Sequence, residues 1–149
     1  LLVGRITEAV KQEIGDIPLM VKLAYIPSDG DLELMVRSTV GHGTVQGFST
    51  INTISAKLVD ANGNQALPGA GRDHSGVCGN AIRGAGLDMV ARLAAIREKL
   101  GLDFAINGVG GVVSPADYQA YRDAGADSVM SATGAMWDAE LAHKIKASR

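Results

Sequence analysis

The sequence has one cysteine, no long apolar run and no excess of charge of one sign. A single thiol at Cys78 excludes an internal disulfide framework and indicates a reducing compartment, so the cytoplasm is the expected location. No apolar stretch approaches the roughly 20 residues that a membrane-spanning helix needs, so a membrane is not an expected partner. The acidic and basic residues are interspersed and give a net charge of -2. Without a basic face, nucleic acid is not an expected partner either.

The composition is typical of one globular domain. At 149 residues, with 46% hydrophobic and 20% charged side chains, the chain is long enough to bury a core. We therefore predict a single domain that covers residues 1–149. The chain opens at Leu1, without a methionine, directly in a helical pattern. From this we expect the beginning of the chain to have been removed.

The apolar residues predict helices and strands in alternation. Apolar positions three or four apart, bounded by glycine, proline or capping residues, indicate helices, and short apolar runs between them indicate buried strands. The predicted helices cover residues 1–14, 29–40, 87–100, 115–125 and 138–147, and the predicted strands cover residues 19–24, 45–51, 104–106 and 128–132. Residues 55–83 are polar and rich in glycine without a sustained period, and we predict a functional loop there.

This alternation predicts an α/β fold with a parallel sheet covered by helices. A doubly wound sheet has its glycine fingerprint after the first strand, whereas the glycine turns here follow the third and fourth strands. A (β/α)8 barrel binds ligands at the C-terminal ends of its strands, and a phosphate often sits on the loops after its last two strands. The sequence therefore favours a (β/α)8 barrel of the TIM type, of which the chain covers roughly the last four strand-helix units.

Two glycine turns are the main candidates for a binding site. Residues 107–111 (NGVGG) leave the third strand and enter a helix, so backbone amides can converge on an anion without obstruction by side chains. Residues 131–134 (SATG) repeat this placement one unit later and add a threonine hydroxyl. One such turn alone is equally well explained by a tight turn that needs positive φ angles. Two turns on neighbouring units favour a phosphate group as the ligand.

Polar side chains also stand at the first two strands. Lys22 interrupts an apolar strand, where its charge either stabilises an anion at the barrel mouth, such as a reduced flavin, or extends to water. Asn52 and Thr53 end the second strand with an amide and a hydroxyl that suit the alternating C=O and N–H groups of a pyrimidine edge. Taken alone, these two residues are better explained by an ordinary turn.

Five short segments form an ordered set along the chain. They are residues 18–22 (PLMVK), 51–54 (INTI), 75–79 (SGVCG) with 81–83 (AIR), 108–111 (GVGG) and 133–134 (TG). In order and approximate spacing, the set resembles the dihydroorotate dehydrogenases, and the dihydropyrimidine dehydrogenases are similar. The resemblance runs from about Ile17 through nearly all of the chain, and an ordered set is far more specific than one glycine motif.

The resemblance implies an FMN-dependent oxidoreductase with an FMN-binding barrel. In such enzymes hydride passes between C6 of a dihydropyrimidine, either dihydroorotate or dihydrouracil, and N5 of the flavin. The residues that the resemblance assigns to binding are Lys22 at the flavin ring, Gly79, Gly110, Gly111, Thr133 and Gly134 at the ribityl phosphate, and Asn52 and Thr53 at the pyrimidine. The base that removes the C5 proton is expected on a segment before Leu1, so neither a catalytic residue nor a metal site is predicted within the chain.

Other side chains are expected to have ordinary structural roles. We expect Cys78 to pack as a small apolar group, Asp73 and His74 to lie in a solvated loop, and His42 to end a helix. A half-barrel exposes edge strands, so we expect a second copy or a complementary N-terminal half as a partner. Two other functions stay open, namely a phosphate-binding barrel isomerase or lyase without flavin, and a non-catalytic half-barrel that serves assembly.

Overall fold

The computed structural model describes residues 1–148, which contain helices and strands in alternation. The α-helices are α1 (Leu2–Ile14), α2 (Asp29–Thr39), α3 (Arg83–Leu100), α4 (Pro115–Asp123), α5 (Thr133–Trp137) and α6 (Leu141–Ala147). The strands are β1 (Met20–Leu23), β2 (Gly47–Thr50), β3 (Ile54–Lys57), β4 (His74–Val77), β5 (Ala105–Val109) and β6 (Ser128–Met130). Short 3-10 turns at Val40–His42 and Gly79–Ile82 follow α2 and precede α3.

Four of the strands form one parallel sheet in the order β1-β2-β5-β6. Apart from the β3–β4 hairpin, this order follows the sequence without reversal. A doubly wound sheet reverses its strand order at a switch point, whereas a (β/α)8 barrel keeps sequential order. The predicted α/β fold of the barrel type, with four consecutive strand-helix units, is confirmed.

The core lies between the sheet and its covering helices. Phe48 of β2 and Ile106 of β5 are register partners, and both are fully buried. The ring of Phe48 meets that of Phe104 edge to face, with centroids 5.4 Å apart. The next register pair, Ser49 and Asn107, faces the opposite side of the sheet, where the amide of Asn107 donates to the Ser49 hydroxyl at 3.3 Å.

The helix ends are formed by the capping residues that the sequence indicates. The hydroxyl of Ser28 accepts a hydrogen bond from the Asp31 amide at the start of α2. Ser114 caps α4 in the same way, and Pro115 occupies its first position. Gly101 ends α3 in the left-handed conformation. These contacts fix where each helix begins and ends relative to the strand beside it.

The structure departs from two local predictions. The segment at residues 55–83 is not wholly irregular, because β3 and β4 pair there as an antiparallel hairpin. β3 alternates from Ile54 to Lys57, but each strand has only four residues, which is too short to give a sustained period. The predicted terminal helix at residues 138–147 is present but begins later, as α6, and the short helix α5 before it was not predicted. The backbone at Asp138 is extended, which ends α5.

Candidate functional site

A cavity of about 450 Å³ opens where the four parallel strands end. All eight residues predicted from the sequence line it: Lys22, Asn52, Thr53, Gly79, Gly110, Gly111, Thr133 and Gly134. They come from five separate segments of the chain, which the parallel strands and the hairpin bring to one place. Their placement is therefore observed, while their binding roles stay predictions.

The β3–β4 hairpin brings two of these segments together. Its strands pair so that Ile54, at the start of β3, lies opposite Val77, at the end of β4. Thr53 precedes the hairpin and Gly79 follows it closely, so the base of the hairpin holds both at the cavity. The side chain of Thr53 lies against Gly76, where a β-carbon would collide with the threonine hydroxyl. The long insertion between these segments thus closes on itself next to the site.

The turn after β5 consists of two glycines with left-handed backbone. Gly110 has a φ of 127° and Gly111 a φ of 68°, conformations that other residues rarely adopt. A β-carbon on Gly111 would stand 2.9 Å from the α-carbon of Asn80 and 3.0 Å from the carbonyl oxygen of Gly79. Within residues 1–148, no hydrogen bond uses the backbone amide of Gly111. This turn therefore contacts the Gly79 segment directly, and its Gly111 amide is available to donate a hydrogen bond.

The turn after β6 is joined to the first turn. The hydroxyl of Ser131 donates to the carbonyl oxygen of Val112 at 2.7 Å. Gly134 is buried against the same carbonyl, and a β-carbon on it would collide with that oxygen. Thr133 and Gly134 are the first two residues of α5, and first-turn amides have no partner within their own helix. Both turns therefore place unpaired backbone donors in the cavity wall.

An ion pair between Arg83, in α3, and Asp117, in α4, supports the glycine turn after β5. The buried carboxylate of Asp117 also accepts hydrogen bonds from the Val113 amide at 3.2 Å and the Ser114 hydroxyl at 2.8 Å. Burial raises the pKa of Asp117, but these hydrogen bonds and the charge of Arg83 outweigh burial and hold the pKa below its ordinary value. Because Val113 follows the glycine turn closely, the carboxylate ties the turn to both α3 and α4.

Lys22 lies on β1 at the cavity, and its side chain is exposed. The prediction that this lysine stands in a buried strand is wrong, because β1 is an edge strand in which only Leu23 is buried. In the part of the chain that the structure describes, no hydrogen bond or ion pair engages the ammonium group. The positive charge is therefore available to an anionic ligand.

The segment after β2 presents Asn52 and Thr53 as exposed side chains. The backbone amide of Asn52 donates to the carbonyl oxygen of Leu23 at 2.7 Å, which ties this segment to the end of β1. The side-chain oxygen of Asn52 accepts a hydrogen bond from the Thr53 amide at 2.9 Å. The side-chain NH2 group of Asn52 makes no bond within residues 1–148, so its two donors remain for a ligand.

Cys78 does not pack as a small apolar group, because its thiol is free and the residue is exposed. The chain is extended there, between the end of β4 and the 3-10 turn, and this places Cys78 in the cavity wall. His74 belongs to β4 and not to a loop, and its ring lies 2.9 Å from the carboxylate of Asp73. His42 ends the 3-10 turn after α2, as predicted for a helix end.

Tyr121 of α4 and the Arg83–Asp117 pair were missed by sequence interpretation. The ring of Tyr121 is fully buried beside Gly108, its hydroxyl lies beside Gly86, and a β-carbon on either glycine would collide with it. Gly86 and Gly108 were the sequence features that could have indicated a buried aromatic ring nearby. Glycine weakens the interior of a helix or strand unless another group approaches closely, and Gly86 and Gly108 occupy such positions.

With this geometry in place, comparison with known proteins decides the family. The family model for dihydroorotate dehydrogenase matches residues 2–148. The chain belongs to the dihydroorotate dehydrogenase family. Members of this family are FMN-dependent oxidoreductases of pyrimidine metabolism.

Individual relatives carry the family name. A dihydroorotate dehydrogenase from Dictyostelium discoideum is 38% identical over 131 residues, which is 87% of this chain. A dihydroorotate dehydrogenase (quinone) from Methylibium petroleiphilum is 32% identical over 91% of the chain. The catalytic subunit of dihydroorotate dehydrogenase B (NAD(+)) from Solidesulfovibrio magneticus is 28% identical over 97% of the chain.

The chain spans less than half the length of these dihydroorotate dehydrogenases. The matched region covers 35% of the Dictyostelium protein, 38% of the Methylibium protein and 44% of the Solidesulfovibrio protein. Among residues 1–148, no helix combines the length and apolar character that a membrane crossing requires.

Proposed function

We propose that the cavity is the FMN and substrate site of a dihydroorotate dehydrogenase. One observation carries the proposal: residues assigned to cofactor and substrate from five separated segments line the same cavity. The proposed reaction removes a hydride from C6 of dihydroorotate and a proton from C5, which leaves a double bond between these carbons. Dihydroorotate is favoured over dihydrouracil because the family and the relatives are named for it.

The two glycine turns suit the phosphate group of FMN. An anion binds well to backbone amides that no other acceptor engages, as at Gly111 and in the first turn of α5. The missing β-carbons at Gly110 and Gly111 let the turn pack against Ile82 and the Gly79 segment while it lines the cavity, and the Thr133 hydroxyl adds a donor. At Gly79, a β-carbon would meet no atom within 4 Å, so the space beside this residue is open. The two glycine turns, with Thr133 and Gly79, therefore fit the phosphate group of FMN.

Lys22 is proposed to contact the flavin ring. Bound FMN supplies the acceptor for the hydride. The unpaired ammonium group of Lys22 would stabilise the negative charge that the flavin ring gains. The backbone of Lys22 is held by the pairing of β1 with β2, which limits how far the residue must move when the charge develops.

Asn52 and Thr53 are proposed to bind the pyrimidine. The free NH2 group of Asn52 can donate to a ring carbonyl, and the Thr53 hydroxyl can donate or accept. Among residues 1–148, the cavity lining has no aspartate, glutamate or histidine that could serve as a base. We assign the removal of the C5 proton to a residue outside these 149 residues, in keeping with the family resemblance.

We further propose that the sheet edges bind another protein surface. β1 and β6 are the outer strands, and they carry the half-exposed side chains of Met20 and Met130. A second copy or a complementary part of the barrel would cover these edges, and light scattering of the purified protein distinguishes an oligomer from a monomer. The cytoplasmic location predicted from the single cysteine stays a prediction.

The test is the visible absorption spectrum of the purified protein, with and without added FMN, after removal of unbound flavin. We expect a retained flavin band that bleaches when dihydroorotate is added without air. A protein that is folded by circular dichroism but retains no FMN would overturn the proposal. Binding of a sugar phosphate by such a protein would support an isomerase or lyase instead, and binding of neither ligand would support an assembly module.

A further inference from the structure

Tyr121 is a buried side chain that touches the glycine turn but does not line the cavity. Its hydroxyl lies 2.9 Å from the carbonyl oxygen of Gly110 and 3.2 Å from that of Val109. The Val109 carbonyl also accepts the Ile51 amide at 3.2 Å and is therefore held by the sheet as well. The shorter contact, to the Gly110 carbonyl, directs that peptide group toward α4.

The direction of the carbonyls fixes the direction of the amides. In a trans peptide group the C=O and N–H bonds point in opposite directions. When the carbonyl of Gly110 points to Tyr121, the amide of Gly111 in the same peptide group points away from α4. The Gly111 amide makes no hydrogen bond within residues 1–148, so it is free to bind a ligand in the cavity.

The surroundings of Tyr121 make its hydroxyl a fixed donor. Burial raises the pKa of Tyr121 to about 12, so the hydroxyl keeps its proton at neutral pH. The ring packs closely against Gly108 and its hydroxyl against Gly86, where a β-carbon on either glycine would collide with it. A rigid donor of this kind organises the turn before any ligand binds.

We propose that Tyr121 is a positioning residue for phosphate binding, because its hydroxyl holds the Gly110 carbonyl and so turns the amide of Gly111 toward an anion in the cavity. This inference rests on the proposed FMN site and deepens it. Tyr121 touches no ligand itself and acts only through the backbone of the turn.

The test compares FMN with riboflavin, which lacks the phosphate, in the wild-type protein and in Tyr121→Phe. Phenylalanine keeps the ring in its space and removes the hydroxyl alone. We expect FMN affinity, measured by quenching of flavin fluorescence, to fall about tenfold. Riboflavin affinity should stay unchanged. Unfolded protein binds neither flavin, so the ratio of the two affinities does not depend on the folded fraction.

Tyr25→Phe is the matched control, because it removes a hydroxyl that donates to Asp88 at 2.9 Å, and neither residue lines the cavity. This variant should keep the wild-type preference for FMN. Equal weakening of both flavins by Tyr121→Phe, or no change in either, would overturn the role of Tyr121. A wild-type protein without any preference for FMN would instead overturn the proposed phosphate site.

Discussion

Gly111 and Gly79 meet through their backbones, since a β-carbon on Gly111 would stand 3.0 Å from the carbonyl oxygen of Gly79. Gly111→Ala should therefore push the two segments apart and strain a left-handed φ of 68°. We expect FMN affinity to fall at least about tenfold and the free energy of unfolding to fall by about 1–3 kcal/mol. Titration with FMN and urea denaturation measure the two effects.

Gly84→Ala is the control for that substitution. Gly84 lies in α3, and a β-carbon there would meet nothing within 4 Å. Alanine favours helices, so this variant should match or slightly exceed wild-type stability and bind FMN normally. Wild-type FMN binding by Gly111→Ala would contradict the close contact at the turn.

The Asp117 carboxylate predicts a pH-dependent contribution to stability. Its pKa in the folded protein is held below the ordinary value of 3.8, so its contribution is complete above pH 3.8 and is lost as the pH falls through the lower folded pKa. Asp117→Asn should lower the free energy of unfolding by about 1–3 kcal/mol at pH 7, and the gap should shrink in acid below pH 3.8. Urea denaturation across pH measures the gap.

Asp103→Asn is the matched control, because Asp103 is exposed and makes no ion pair within the described residues. Its free energy of unfolding should follow that of the wild type at each pH. A gap for Asp117→Asn that stays constant down to low pH would argue against the depressed pKa.

Lys22→Gln should affect the flavin and not the fold. The side chain is exposed and unpaired within residues 1–148, so the melting temperature should stay within experimental error of the wild type. Loss of the ammonium group makes added negative charge less favourable, so the flavin midpoint potential should become more negative. Lys146→Gln, in α6, removes an exposed charge away from the cavity and should leave the potential unchanged.

Asn52→Ala should weaken a pyrimidine ligand while sparing FMN. Its free NH2 group is the donor proposed for a ring carbonyl, so orotate should bind the FMN-loaded protein about tenfold more weakly. The change in the flavin spectrum on orotate addition measures this. Asn62→Ala, on the far turn of the hairpin, serves as control; equal orotate affinity in both variants argues against the assignment.

Cys78 offers a chemical probe of cavity occupancy, because it is the chain's only cysteine and its exposed thiol lines the cavity. We expect a thiol reagent to label it in the FMN-free protein and FMN to slow the labelling several-fold by shielding it. Riboflavin should shield it less if the phosphate anchors the flavin. Labelling at one rate with and without retained FMN would place the flavin elsewhere.

The sequence predicted most of the four strand-helix units because their helices and strands have clear periods and recognisable ends. Ser114 followed by Pro115 marks a helix start whatever the tertiary context, and the structure confirms it. Two glycine turns on neighbouring strand-helix units predicted a phosphate site, and both turns lie at the cavity, while the binding of phosphate stays a prediction.

What could not be predicted depends on partners distant in sequence. The hairpin forms because Ile54 meets Val77 across a long insertion, and each of its strands has only four residues. Lys22 resembles a buried residue until the sheet order places β1 at an edge. Tyr121 reads as an ordinary helical aromatic until its hydroxyl is seen beside Val109 and Gly110.

Because of the β3–β4 hairpin, the length of the segment between Thr53 and Gly79 does not determine where these two residues lie. Thr53 and Gly79 are held by the paired base, while the far end is closed by its own turn, where the Asp60 carboxylate accepts from the amides of Asn62 and Asn64. Loop closure costs grow slowly with length, so residues can be gained or lost beyond the paired strands at little cost. This tip is therefore the place where homologues can diverge in length, and where a label or an added peptide can be inserted, without moving the binding residues.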